Sequence, residues 1–144
     1  MPAAVLDTTV LYAAADASDA RHGDALPILR AIDGGSLPEG LVVDYVLAET
    51  LNGIVRNLSH EAAVDYLGRI EGNDRFQVDR LNVDAFATGK DVFRRHGQLS
   101  LVDGLVVGYM RERGVDYLYS FDGGFDVVDG VVRLSTAHDP YAPG

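Results

Sequence analysis

Short apolar runs alternate with longer helical segments along this chain, and that alternation constrains the fold more than any other feature. Ala3–Leu6 and Leu41–Val43 are apolar throughout, as strands buried on both faces are. Phe76–Val78 predicts a third and weaker strand, Val115–Tyr119 a fourth and Val131–Leu134 a fifth. Helical segments between them predict βαβ units with right-handed crossovers. We therefore expect a three-layer α/β/α fold with a mainly parallel sheet of four or five strands.

Capping residues and glycines set the expected limits of the helices. The predicted helices run from Val10 to Ala15, from Ser18 or Asp19 to Ile32, from Val46 to Arg56, from Ser59 (N-cap) to Ile70, from Asn82 (N-cap) to Arg95 and from Leu99 to Arg113. Pro27 falls inside the second of these helices, so we expect a kink or a break there.

The length of 144 residues predicts a single domain. No repeat or linker divides the chain, so we assign residues 1–134 to that domain and residues 135–144, with Pro140 and Pro143, to an irregular tail. The absence of cysteine excludes disulfides, thiolate zinc sites and a cysteine nucleophile. No apolar run approaches the roughly 18 residues of a membrane span, and no basic leader precedes Asp7. We expect a cytoplasmic protein.

The charge is strongly negative, with 22 acidic against 12 basic residues and a formal net charge of −10. Aspartate dominates the acids, and Lys90 is the one lysine among the bases. This composition suits a surface that stays hydrated in concentrated salt, where the Debye length falls to about 3 Å at 1 M. A halophilic source is one hypothesis, and a GC-rich genome that favours arginine over lysine is the other. By net charge alone, a nucleic-acid partner is disfavoured.

Four acidic residues are predicted to meet at the carboxyl edge of the sheet. Asp7 closes the first strand, Glu49 lies one turn into the helix after the second, Asp103 begins the helix before the fourth, and Asp122 follows the fourth. Ligands of open parallel sheets bind at this edge. Carboxylates gathered there repel one another unless a cation neutralises them, and an all-oxygen set selects Mg²⁺ or Mn²⁺. The alternative is that each acid only caps a helix or a turn.

Four segments in register carry a resemblance to the PIN-domain nucleases. The segments are Val5-Leu6-Asp7-Thr8-Thr9-Val10-Leu11, Val46-Leu47-Ala48-Glu49-Thr50-Leu51-Asn52, Leu99-Ser100-Leu101-Val102-Asp103 and Tyr117-Leu118-Tyr119-Ser120-Phe121-Asp122-Gly123-Gly124-Phe125-Asp126. They span residues 3 to about 128, and among PIN domains they most resemble the VapC-type toxins. The resemblance implies a PIN-like fold.

The resemblance also implies a Mg²⁺- or Mn²⁺-dependent endoribonuclease. Asp7, Glu49, Asp103 and Asp122 would be its catalytic acids, with Asp7 and Asp103 as metal ligands. A bound divalent ion would activate water for in-line attack on a phosphodiester.

Other residues of the motifs have expected supporting roles. Thr8 or Thr9 would orient Asp7 or a substrate phosphate, and Ser120 stands where the family usually has threonine. Asp126 competes with Asp122 for the fourth acidic position, and Gly123-Gly124 replaces the polar or basic pair that the family often has between them.

The expected partners follow from the same resemblance. They are an RNA substrate, an antitoxin protein that offers arginine to the carboxylates, and a second copy of the chain. Two alternatives within the family stay open: an RNA-processing nuclease without a toxin role, and an inactive RNA- or protein-binding module. A receiver domain is disfavoured because no acid adjoins Asp7, and a haloacid-dehalogenase-like phosphatase because residue 9 is threonine.

Overall fold

The computed structural model describes residues 2–143, in which five strands form one parallel sheet. The strands are β1 (Ala3–Leu6), β2 (Glu39–Val43), β3 (Phe76–Asp79), β4 (Tyr117–Tyr119) and β5 (Val132–Leu134). Their spatial order is β3-β2-β1-β4-β5, and every neighbouring pair is parallel. All carboxyl ends therefore lie at one edge, with β1 and β4 side by side at the centre.

Six α-helices and one 3₁₀ helix connect the strands. They are α1 (Thr8–Ala15), α2 (His22–Asp33), α3 (Asp44–Asn57), α4 (His60–Glu71), α5 (Val83–Arg95), α6 (Leu101–Arg113) and the 3₁₀ helix Gly123–Val127. Right-handed crossovers in this strand order place α1–α4 on one face of the sheet and α5–α6 on the other. The predicted three-layer α/β/α fold and parallel sheet are confirmed.

Glycines bring α5 and α6 together almost backbone to backbone. A Cβ atom at Gly108 would lie 2.3 Å from the carbonyl oxygen of Ala85, and one at Gly104 would lie 2.7 Å from that of Gly89. Residues 104–110 of α6 are buried without interruption. Such contacts leave no space for a side chain, so this layer is rigidly packed.

The opposite layer is more open. A groove of about 450 Å³ lies among α1, α2, α3, α4 and β3, with Leu29, Ile54, Tyr66 and Phe76 in its walls. The Tyr66 hydroxyl donates a 2.7 Å hydrogen bond to the carbonyl oxygen of Leu11, which ties α4 to α1. We call this cavity the α1–α4 groove.

The start of α2 differs from the prediction. The helix begins at His22 rather than at Ser18 or Asp19, because side chains hold the preceding residues in turns. Asp16 accepts a bond from the Ser18 amide, and Asp19 accepts one from the Arg21 amide.

Pro27 lies inside α2 without breaking it. The residue whose carbonyl loses a donor is Gly23, which is exposed, so water can take the place of the missing bond.

Residues 135–143 contain neither helix nor strand, and they pack against the sheet. The hydroxyl of Tyr119 donates a 2.6 Å bond to the carbonyl of His138, and that of Tyr141 donates a 2.8 Å bond to the carbonyl of Ala3. Within residues 2–143, no helix is long and apolar enough to cross a membrane.

Candidate active site

Asp7 is a buried carboxylate at the carboxyl end of β1. Only 2% of it is exposed, and its backbone amide extends the β1–β4 pairing by donating to the carbonyl of Tyr119 at 3.0 Å. Its Oδ2 accepts hydrogen bonds from Ser120 Oγ at 2.7 Å and Thr9 Oγ1 at 2.8 Å. Two hydroxyls from different chain segments therefore fix the orientation of this carboxylate.

Backbone amides fix the proton directions of those two hydroxyls. The amide of Asp122 donates to Ser120 Oγ at 3.0 Å, and the amide of Phe121 donates to Thr9 Oγ1 at 3.0 Å. Each hydroxyl thus accepts from the backbone and donates its own proton to Asp7. Hydrogen bonds from two donors favour the ionised form of a carboxylate.

Burial opposes that ionisation. Loss of hydration raises the pKa of Asp7 above its usual value, and the negative charge of Asp122 raises it further. The hydrogen bonds from Ser120, Thr9 and the Thr8 backbone lower the pKa of Asp7 in partial compensation.

Asp103 lies in the first turn of α6, where it is part of a capping box. Its amide bonds the side chain of Ser100, the N-cap, and its Oδ2 accepts from the Ser100 amide at 3.1 Å. Partial burial and the charges of Asp7 and Asp122 raise the pKa of Asp103 to about 6. The carboxylate of Asp103 therefore interacts electrostatically with both Asp7 and Asp122.

Asp122 follows β4 and caps the 3₁₀ helix through a 2.8 Å bond from the Gly124 amide to its Oδ1. Asp126 is paired with Arg133 instead: Nε and Nη2 of Arg133 donate to its two carboxylate oxygens at 2.9 and 3.0 Å. This pairing lowers the pKa of Asp126 and separates its role from that of Asp122.

The predicted cluster of four acids does not form as one set of ligands. In residues 2–143, no group of three or more His, Cys, Asp or Glu side chains is arranged to hold one metal ion. Glu49 is exposed on α3, whereas Asp103 and Asp122 are each held by their own local backbone. Three aspartates are thus coupled through their charges without converging on a single point.

Two threonines follow Asp7, and the structure separates their roles. Thr9 binds Asp7, whereas Thr8 Oγ1 is buried and has no hydrogen-bond partner among the described residues. The sequence alone does not separate the two, because both lie in the first turn of α1, directly after Asp7.

The donor set fits a hard divalent cation. The side chains around Asp7 and Asp103 offer carboxylate and hydroxyl oxygens, and burial, followed by the charges of neighbouring aspartates, raises the pKa of both. Mg²⁺ is usually bound by one or two carboxylates and keeps several waters, so it does not require a cage of three protein ligands.

A profile of the PIN domain matches residues 4–131. The chain belongs to the PIN-domain family. PIN domains are nucleases, which confirms the prediction of a hydrolytic enzyme, and they generally use divalent metal ions.

Relatives of this PIN domain include VapC toxins. It is 30% identical over 122 residues to the 23S rRNA-specific endonuclease VapC20 of Mycobacterium tuberculosis, covering 83% of this chain and 89% of that protein. The crystal structure of VapC20, a toxin that cleaves the sarcin–ricin loop, has a TM-score of 0.77 and 27% identity, with 94% of this chain and 98% of that one covered.

A more distant structure shows the same fold. The DNA-bound VapBC complex of Salmonella typhimurium has a TM-score of 0.66 at 17% identity, covering 93% of this chain and 98% of that one.

Proposed function

We propose that this PIN domain is a Mg²⁺- or Mn²⁺-dependent endoribonuclease and the toxin of a toxin–antitoxin pair. The observation that carries the proposal is the hydroxyl-anchored Asp7, coupled through charge to Asp103 and Asp122 at the carboxyl edge of the sheet. Perturbed carboxylates grouped at this edge are typical of a catalytic site.

Asp7 and Asp103 are the proposed metal ligands. They would hold a divalent ion whose charge would lower the pKa of water and stabilise the departing oxygen of a phosphodiester. Thr9 and Ser120 hold Asp7 in one orientation, and the capping box holds Asp103. Asp122 accepts the Gly124 amide with one oxygen, and we assign its other oxygen to orienting a water molecule.

Glu49 stays in the proposal through its family motif. It is exposed on α3, so we assign it a contribution at the rim of the site rather than at its centre. We expect Glu49→Gln to reduce cleavage less than Asp103→Asn does.

Cleavage of RNA tests the catalytic proposal. The substrates are ribosomes, purified 23S rRNA and an RNA hairpin carrying the sarcin–ricin loop, because VapC20 is named for those targets. Each is incubated with Mg²⁺ or Mn²⁺ from low to molar KCl. We expect cleavage by the wild type, with a loss of at least about 100-fold in Asp103→Asn and with excess chelator.

Matched variants test which of the acidic residues take part in cleavage. Asp129→Asn removes one exposed negative charge outside the site and should cleave like the wild type. Asp122→Asn should be impaired far more than Asp126→Asn, because Asp126 is paired with Arg133. Equal cleavage by Asp103→Asn and Asp129→Asn would refute the site.

The proposed partners are an antitoxin and a second copy of the chain. Exposed apolar side chains on α3 and α4, among them Val55 and Val64, support a protein interface. An antitoxin segment that crosses the site would present arginine to the carboxylates. Co-expression with the product of a neighbouring short reading frame should suppress both toxicity and cleavage, and light scattering reports the dimer. Cleavage without toxicity would favour an RNA-processing nuclease instead.

A further inference from the structure

The guanidinium of Arg21 covers the ring of Phe121 at the rim of the site. Arg21 Cζ lies 4.0 Å from the ring centre. Phe121 stands between Ser120 and Asp122, and its amide donates to Thr9 Oγ1. A single residue, Phe121, therefore links the guanidinium to the hydroxyl of Thr9, which binds Asp7.

The connection between α1 and α2 holds Arg21 in place. Asp19 Oδ1 accepts from the Arg21 amide at 2.8 Å, and Asp16 Oδ1 accepts from both the amide and the hydroxyl of Ser18. The Tyr12 hydroxyl donates to the other oxygen of Asp16 at 2.7 Å. A loop built from such turns loses little conformational freedom when a ligand binds to it.

The donors of Arg21 are only partly used. Nε donates to Asp24 Oδ2 at 3.1 Å, and 43% of the side chain is exposed. Within residues 2–143, Nη1 and Nη2 of Arg21 donate no hydrogen bond, so they can bind a ligand.

Arg133, which contacts the nearby residues Ser120 and Asp126, provides the contrast. Its Nε and Nη2 bind Asp126, its Nη1 binds the carbonyl of Ser120, and only 23% of its side chain is exposed. All three nitrogens of the Arg133 guanidinium bind groups of the protein itself, whereas Arg21 uses only Nε in this way.

We propose that Arg21, stacked on Phe121, binds a backbone phosphate of the RNA next to the phosphodiester that is hydrolysed. This inference rests on the proposed endoribonuclease function. A chain with a net charge of −10 repels RNA, so a fixed cation on the residue between Ser120 and Asp122 helps to hold the strand at this edge. The guanidinium fork matches phosphate geometry, and the aromatic ring fixes its plane.

Binding of RNA to an inactive background tests this assignment. All variants carry Asp103→Asn, and the probe is the fluorescein-labelled sarcin–ricin hairpin, followed by anisotropy over roughly 0.05 to 0.4 M KCl. Adding Arg21→Ala should weaken binding about tenfold at low salt. The slope of log K against log salt should fall by about 0.7, as for the loss of one single-strand phosphate contact.

Two further variants separate charge from stacking. Arg21→Lys keeps the charge and loses the fork, so we expect an unchanged salt slope with weaker binding. Phe121→Leu should weaken binding less than Arg21→Ala, because the guanidinium remains but is less well fixed.

The control is Arg94→Ala. Arg94 pairs with Asp91 three residues away, as Arg21 pairs with Asp24, but it lies on α5. This variant should bind like the background. Melting temperatures of all variants establish that each is folded.

The outcomes separate this inference from the function on which it rests. If the wild type cleaves RNA but Arg21→Ala keeps the slope of Arg94→Ala, the phosphate contact is refuted and the nuclease stands. If the hairpin binds with an Arg21-dependent slope but no RNA is cleaved, the contact stands and the nuclease proposal fails. In the active enzyme, the contact predicts a raised KM for Arg21→Ala with little change in kcat.

Discussion

The two helical layers meet the sheet in opposite ways. On one face, Gly89, Gly104 and Gly108 let α5 and α6 approach until their backbones touch. On the other face, α1–α4 enclose a groove of about 450 Å³ and leave apolar side chains such as Val55 and Val64 exposed. The same sheet is thus covered by a dense layer and by an open one.

This difference assigns different tasks to the two layers. Asp103 lies in the first turn of α6, so its position relative to Asp7 depends on the close packing of α5 and α6. Glu49 comes from α3 in the open layer, where a side chain can adjust to a ligand or a partner. We infer that precision at the site comes from one face of the protein and access to partners from the other.

Gly108→Ala should have the largest effect on stability. The new Cβ would lie 2.3 Å from the carbonyl oxygen of Ala85, and neither backbone can move without separating the helices. We expect a loss of about 3 kcal/mol or more in the free energy of unfolding, measured in urea. Gly68→Ala on α4 is the matched control, because its Cβ would meet nothing within 4 Å. That variant should gain about 0.5–1 kcal/mol, and a similar loss in both would refute the contrast.

Asp103→Asn should stabilise the metal-free protein at neutral pH. The folded pKa of Asp103 is about 6, above the usual 3.8, so the folded state binds the proton more tightly than the unfolded state. The wild type therefore loses stability as pH rises from about 4 to about 6, whereas the Asp103→Asn variant does not. We expect a gain of about 1 kcal/mol at pH 7, reduced by solvent screening, and none below about pH 4.

Chelator is present throughout that measurement, and Asp129→Asn controls for the change in net charge. A gain at pH 7 that persists at pH 4 would contradict the assignment to the Asp103 charge.

Removing an N-cap from a helix of each layer should lower the free energy of unfolding by similar amounts but change hydrogen exchange differently. Ser59 caps α4 through a 3.0 Å bond from the Ala62 amide, and Asn82 caps α5 through a 2.8 Å bond from the Ala85 amide. Each substitution by alanine should cost about 0.5–1 kcal/mol. Hydrogen exchange should show local fraying of α4 in Ser59→Ala and only global unfolding in Asn82→Ala. Identical exchange patterns would show that the two layers are equally cooperative.

Ala62→Leu should have the smallest effect. Ala62 lines the α1–α4 groove, where a larger apolar side chain has space. We expect a change within about 0.5 kcal/mol in the free energy of unfolding. A loss like that of Gly108→Ala would mean that the groove is closed in solution.

The sequence predicted the parts of this structure that depend on neighbouring residues. Ser59 and Asn82 cap α4 and α5 as expected, and the apolar runs become the buried strands β1 and β2. Hydrophobic periodicity and caps act over a few residues, so a single sequence contains them.

Long-range contacts could not be predicted in the same way. Ser120 binds Asp7 only because β4 lies beside β1, and Arg21 covers a ring 100 positions further along the chain. The spacing of Glu49 predicted a helix after the second strand but did not reveal that the side chain is exposed. The position of each acid along the chain was thus clearer than the surroundings of its side chain.

The alignment of β1 with β4 has a consequence for how this protein tolerates changes in length. Leu6 is paired with Tyr119, so the next residues, Asp7 and Ser120, face each other across the strand ends. A one-residue insertion in β4 would move Ser120 away from Asp7 and abolish the hydroxyl network, although the sheet could still form. An insertion of the same size near Gly130, beyond the site, would leave that pairing intact.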